Sequence, residues 1–237
     1  MKQSTKKILF ISGIALVVIA TGLTFYFIYK KGSKKGSKKL KNPNPKKILF
    51  VGDSQTAIKT ASGQNITYTY PNLLKKEFPD KQIDVLAIGG KRTSWMLENL
   101  PAQLKDNKYD RIYIYGGGND TSSAVKVETT LANIQKMVDM SNENGADVFV
   151  NTGWKLEGEK GKFANPYFLK PTIYVKTPQE WMPLLAKRKE LQERIPKEIN
   201  NASFIFPYDL EQKTTDGVHP TAEGHKMVAK FVGDTLR

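Results

Sequence analysis

Two short segments of this chain, far apart in sequence, carry residue types that could together make a nucleophile: Gly52-Asp53-Ser54 and Asp216-Gly217-Val218-His219-Pro220. A serine hydroxyl reacts poorly at neutral pH unless a base sits beside it, and that base needs a partner to fix its tautomer and stabilise the imidazolium. His219 supplies the base. Asp216, three residues earlier, is spaced so that its carboxylate can turn back onto the imidazole of its own loop. The other histidine, His225, falls inside a C-terminal helical stretch after a Thr221 N-cap, where a packed or surface role suits it better. A third segment, Gly116-Gly117-Gly118-Asn119-Asp120, combines glycines that let backbone approach a ligand with an amide donor at Asn119.

Taken singly, each segment also reads as an ordinary turn, because Gly supplies positive φ and Asp bonds its own backbone. The elements around them decide the matter. Short β-rich runs at 48–51, 83–88, 111–115, 148–151 and 204–206 alternate with stretches of helical spacing at 70–78, 94–104, 123–144, 178–200 and 221–236. Parallel strands need crossovers of a dozen or more residues, usually helices, so the alternation predicts a three-layer α/β/α sandwich on a mainly parallel five-stranded sheet. Ligands of such sheets bind beyond the carboxyl ends of the strands. The Gly52 segment follows the first run, the Gly116 segment the third, and the Asp216 segment precedes the last helix.

Composition narrows the chemistry. The chain has no cysteine, which excludes disulfides, thiolate metal sites and a cysteine nucleophile. Its formal charge is +14, but 12 lysines and no carboxylate lie before residue 48, leaving 25 basic against 23 acidic residues beyond it. A nearly balanced domain has no global electrostatic reason to bind a polyanion, so nucleic acid is not an expected partner.

The basic segment surrounds a candidate membrane span. Ile8 to Tyr29 is an uncharged stretch of 22 residues, long enough at about 1.5 Å per residue to cross a hydrocarbon core of about 30 Å. Its length exceeds the apolar region of a signal peptide, and no small-x-small cleavage site precedes the lysines. Residues 1–29 therefore read as a transmembrane segment, 30–46 as a flexible Lys/Gly/Ser/Pro linker able to meet anionic headgroups, and 47–237 as the catalytic domain. Nine lysines follow the span and three precede it. The positive-inside rule puts the domain in the cytoplasm, whereas an N-in signal anchor puts it outside, and both topologies stay open.

A Gly-Asp-Ser after the first strand, a Gly-x-Asn-Asp after a middle strand and an Asp-x-x-His-Pro near the C-terminus resemble the SGNH/GDSL hydrolases in order and spacing over nearly all of 47–237. The resemblance implies a flavodoxin-like sheet and a triad of Ser54, Asp216 and His219. It also implies an oxyanion hole of the Ser54 N–H, the Asn119 side chain and a glycine N–H after the second strand, with no metal or cofactor. Gly90 is the expected glycine and Gly89 the reserve, although the commoner family pattern separates two glycines by two residues, and here they are adjacent. Gly90-Lys91 is not a phosphate loop: Val85 stands where a Walker motif needs glycine, and Arg92 where it needs Ser or Thr.

The function expected is cleavage of a small-molecule or glycan ester through an acyl-enzyme on Ser54. Two other readings use the same residues: O-acyl transfer to a carbohydrate, and a virion or surface binding module on which catalysis is vestigial. The stretch from Thr152 to Thr177, with Trp154, Phe163, Tyr167, Phe168 and Tyr174, is placed to cover the site or to seal itself onto the domain. Trp95, Met96 and Trp181, near leucines at helical spacing, read as packing residues. The tripeptides at Asn65, Asn119 and Asn201 match the N-glycosylation pattern, which is short enough to occur by chance.

Overall fold

The computed structural model describes residues 40–60, 62–153, 178–205 and 218–237, with only the backbone of 178–182. Residues 40–237 form one compact unit. Five strands run β1 (Lys47–Gly52), β2 (Gln82–Ala87), β3 (Arg111–Tyr115), β4 (Asp147–Asn151) and β5 (Ser203–Ile205). They make one parallel sheet in the order β2-β1-β3-β4-β5. The helices are α1 (Tyr70–Glu77), α2 (Thr93–Lys105), the single turn α3 (Gly118–Thr121), α4 (Val127–Glu143), α5 (Pro178–Glu198) and α6 (Ala222–Leu236). This is the expected three-layer sandwich, and the strand order is the flavodoxin-like one.

The period-two pleat of β1 shows why its apolar run is continuous. Ile48 and Phe50 enter one core with Tyr70 and Leu74 of α1 and Val228, Val232 and Leu236 of α6. Leu49 and Val51 enter the other with Met96 and Leu100 of α2, Leu131, Ile134 and Val138 of α4, and Leu191 and Ile195 of α5. A strand covered on both faces has no polar side to spare. On the first face Phe50 stacks on Tyr113 at 4.9 Å, and Tyr113 on Phe149 at 5.2 Å, a ladder across three neighbouring strands.

Two details differ from the sequence reading. Residues 40–46, expected within the linker, pack on the domain: the Lys41 and Asn42 amides donate to Asp147, and the buried Arg111 guanidinium reaches the Asn42 and Thr235 carbonyls. The helix expected from Ser123 starts at Val127, because the Ser122 and Ser123 hydroxyls fold back onto the Gly118 and Asp120 carbonyls and close α3 first. Thr221 does cap α6, its hydroxyl accepting the Gly224 N–H at 3.1 Å. Among the described residues no helix is long and apolar enough to cross a membrane. The expected span at Ile8 to Tyr29 lies outside them, as do most of the 152–177 stretch and the side chain of Trp181.

Candidate active site

The strand order reverses beside β1: β2 lies on one side of it and β3 on the other. The crevice of such a sheet opens where the chain leaves β1 and β3 in opposite directions. Ser54 follows β1 there, and the triple-glycine segment follows β3.

The Ser54 turn is held by its own backbone. The Asp53 carbonyl accepts the Thr56 and Ala57 amides at 3.0 and 2.9 Å, and the Asp53 carboxylate accepts the Gln55 amide at 3.0 Å. This single turn leaves Ser54 half-buried while Asp53, Gln55, Thr56 and Ala57 are buried around it. Gly52 is required by close approach, since a Cβ there would stand 2.6 Å from Thr56 Cβ and 2.9 Å from the Tyr115 carbonyl oxygen.

His219 arrives from the loop before α6, and its Nε2 lies 3.0 Å from Ser54 Oγ. Gln55 ties that loop to the Ser54 turn, its Nε2 donating to the Val218 carbonyl at 3.0 Å. Asp216 lies outside the described residues. His225, the other histidine, is buried in α6, where its Nδ1 accepts the Tyr70 amide at 3.3 Å. Burial, with the charge of His219 adding to it, pushes His225 down to about 4, so it is a neutral packing group.

The loop after β2 turns through Gly89 and Gly90. The Lys91 amide donates to the Ile88 carbonyl at 3.3 Å, and Gly90 has φ +75°, the conformation that the third residue of a type II turn requires. Gly89 faces Ser54, its Cβ position being 3.6 Å from Ser54 Cβ. The peptide N–H joining the two glycines belongs to Gly90.

Asn119 lies in α3, whose entry is set by Gly117 at φ +107°. Its Nδ2 donates to the Lys91 carbonyl at 2.9 Å and reaches Asp53 Oδ2 at 3.5 Å. Asn119 thus laces together the three loops that follow β1, β2 and β3. Only the long contact to Asp53 is weak enough to be exchanged readily for a developing oxyanion.

Three supports of this site were not legible beforehand, Gln55, the Lys91 carbonyl and Arg188, and Asp120 stood in the third segment with no partner foreseen for it. Asp120 is buried, and its carboxylate accepts the Thr93 amide at 3.0 Å and the Thr93 hydroxyl at 2.5 Å, fastening the first turn of α2 to α3. Asp53 is raised to about 6 by burial, against the opposing pull of the Gln55 amide, Arg188 and His219; Asp120 pushes it further up. Among the described residues no three His, Asp or Glu side chains gather as a metal site would need.

A serine hydroxyl beside an imidazole, flanked by a glycine turn and an amide, has the arrangement that acyl transfer needs. Known proteins point the same way. Residues 50–227 match the model of the GDSL-like lipase/acylhydrolase family. An arylesterase of Vibrio mimicus is 26% identical over 201 residues, covering 80% of this chain and 88% of that protein. A G-D-S-L lipolytic family member from Veillonella parvula superposes with a TM-score of 0.61 at 12% identity, over 79% of this chain and 96% of its own. A variant of an acetyl-xylooligosaccharide esterase from Geobacillus gives 0.59 at 17%, over 81% and 94%. The chain belongs to the GDSL-like lipase/acylhydrolase family and is an enzyme of its esterase class.

Proposed function

We propose that this enzyme cleaves a small-molecule or glycan ester through an acyl-enzyme on Ser54. The observation that carries this reading is the 3.0 Å approach of Ser54 Oγ to His219 Nε2 at the crevice between β1 and β3. In the first half-reaction Ser54 Oγ bonds to the ester carbonyl carbon while its proton passes to His219 Nε2. Asp216 holds the imidazolium. The carbonyl π-electrons move onto oxygen, which the Ser54 and Gly90 N–H groups and Asn119 Nδ2 receive. Collapse breaks the bond to the alcohol oxygen, which leaves with the proton from His219. A water then repeats the sequence on the acyl-enzyme, His219 taking its proton, and the acid departs as Ser54 is restored. One well-placed oxyanion donor contributes about 3 kcal/mol to such a transition state.

The same reading takes Ile8 to Tyr29 as a single membrane span, with the Lys-rich stretch from Lys30 as a tether able to rest on anionic headgroups. Protease protection of membrane vesicles carrying the full chain decides on which side the catalytic domain stands.

The test is hydrolysis by the full chain of a panel of acetyl and longer-acyl esters, headed by aryl acetates and O-acetylated xylo-oligosaccharides. Release of acid by the wild type, abolished in both Ser54→Ala and His219→Ala, is expected. Unimpaired turnover by either variant contradicts the assignment. Acyl groups recovered on an added carbohydrate instead of as free acid show a transferase.

A further inference from the structure

α5 packs across the back of the triple-glycine segment, and one of its residues is out of character there. Leu191 and Ile195 join the apolar core, yet Arg188, on the same side of the helix, is only 7% exposed. Its guanidinium reaches the segment itself. A Cβ on Gly118 would lie 2.9 Å from Arg188 Nη1 and 3.7 Å from Asp53 Oδ2, so the missing side chain of Gly118 leaves a space that borders both the cation and the carboxylate. Nη2 donates to the Tyr115 hydroxyl at 3.3 Å, and Nε has no hydrogen-bond partner among the described residues. A buried guanidinium with an unused N–H is a costly way to fill a core position that methionine would fill as well. Its charge therefore calls for a use.

The charge it answers lies on either side of Asn119. Asp53 and Asp120 are 3% and 1% exposed, and two buried carboxylates oppose the negative charge that acyl transfer builds beside them. We propose that Arg188 is a positioning residue of the active site: across the space left by Gly118 its charge acts on the Asp53 carboxylate, keeps the Ser54 turn and the Asn119 side chain in register, and offsets the carboxylate field where the oxyanion forms. The inference rests on the acyl-enzyme reading above.

The groups facing Asp53 are the Gln55 amide, Asn119 Nδ2, Arg188, His219, Asp120 and the hydroxyl-bearing rings of Tyr70 and Tyr115. With the guanidinium gone, Asp53 binds a proton more readily. In Arg188→Met the acid limb of kcat/KM therefore moves to higher pH by about one unit, and kcat at neutral pH falls by about tenfold with KM little changed. Arg188→Lys keeps the charge and holds the acid limb near its wild-type position. Gly118→Ala fills the space and moves the limb in the same direction as Arg188→Met with Arg188 still present, a result that carries the test should the methionine variant not fold.

Fluorophosphonate labelling of wild-type Ser54 is run alongside. With Ser54 labelled, a wild-type-shaped profile in Arg188→Met, or in Gly118→Ala if the former does not fold, overturns the role of Arg188 and leaves the acyl-enzyme standing. An unlabelled wild type overturns the acyl-enzyme reading and this inference with it.

Discussion

Asp120→Ala isolates the contact that joins two loops of the site. Asp120 is 1% exposed and Thr93 fully buried, and the substitution strands two donors, the Thr93 N–H and O–H. Thr130 Oγ, 3.5 Å from the carboxylate, keeps its 3.2 Å bond to the Lys126 carbonyl and is not stranded. At about 1–3 kcal/mol for each orphaned buried group, the loss is roughly 2–6 kcal/mol, a large share of the 5–15 kcal/mol typical of a domain. Thr93→Val alone removes one donor and the acceptor of Asn133 Nδ2, and costs about 1–2 kcal/mol. In the Asp120→Ala background the same change removes a group already stranded, so it costs less, giving a coupling of about 1–2 kcal/mol. Urea unfolding followed by tryptophan fluorescence measures all four corners of the cycle. Costs that add to within about 0.5 kcal/mol would refute the argument. So would an Asp120→Ala variant as stable as the wild type.

Three further outcomes follow from single contacts. Asn119→Ala removes the lace to Lys91 and the side chain proposed as an oxyanion donor; kcat for ester hydrolysis is expected to fall by about 10²–10³ with a smaller change in KM, and a decrease under threefold contradicts the role. Gly52→Ala drives a Cβ against Thr56 and the Tyr115 carbonyl; it lowers stability by about 1–3 kcal/mol and costs activity by displacing Ser54, so a variant with unchanged melting and turnover is the contrary result. His225, held at about 4 when folded against an ordinary 6.5, binds a proton more readily unfolded than folded between those values, so its contribution to stability falls as pH drops from about 6.5 to 4. Asp53, raised to about 6, acts in the opposite sense over much of the same window. His225→Gln removes only the first term: relative to wild type it gains stability on acidification from pH 7 to 4.5, by up to about 3 kcal/mol. A difference between the two proteins that does not vary with pH contradicts the buried neutral histidine.

The layers were legible because a strand buried on both faces must be apolar throughout. The run from Ile48 to Val51 announces itself, and the helices betray their faces through residues such as Leu131, Ile134 and Val138. Ser54 and Asn119 could be singled out because they stand in short glycine-bearing turns at strand ends, and His219 because it stands in an Asp-x-x-His segment before the last helix. The supports could not. Gln55, Asp120 and Arg188 act across 163, 27 and 70 residues of sequence, on Val218, Thr93 and Gly118, and no local pattern marks a polar side chain for such a bond. Arg188 looks like any charged residue of a lysine- and glutamate-rich helix until the fold buries it. Residues 40–46 misled for the opposite reason. Their lysines, asparagines and prolines are linker-like in composition, but Asp147 and Arg111 at the near ends of β4 and β3 supply partners for their backbone.

The central claim is that Ser54 is an activated nucleophile. Fluorophosphonate labelling of the full chain, read by peptide mass spectrometry in wild type, Ser54→Ala and His219→Ala, tests it directly. The account predicts a single modified peptide containing Ser54, no modification in Ser54→Ala, and strongly slowed labelling in His219→Ala. Folded wild type that takes up no label, or that takes it up equally without Ser54, contradicts it.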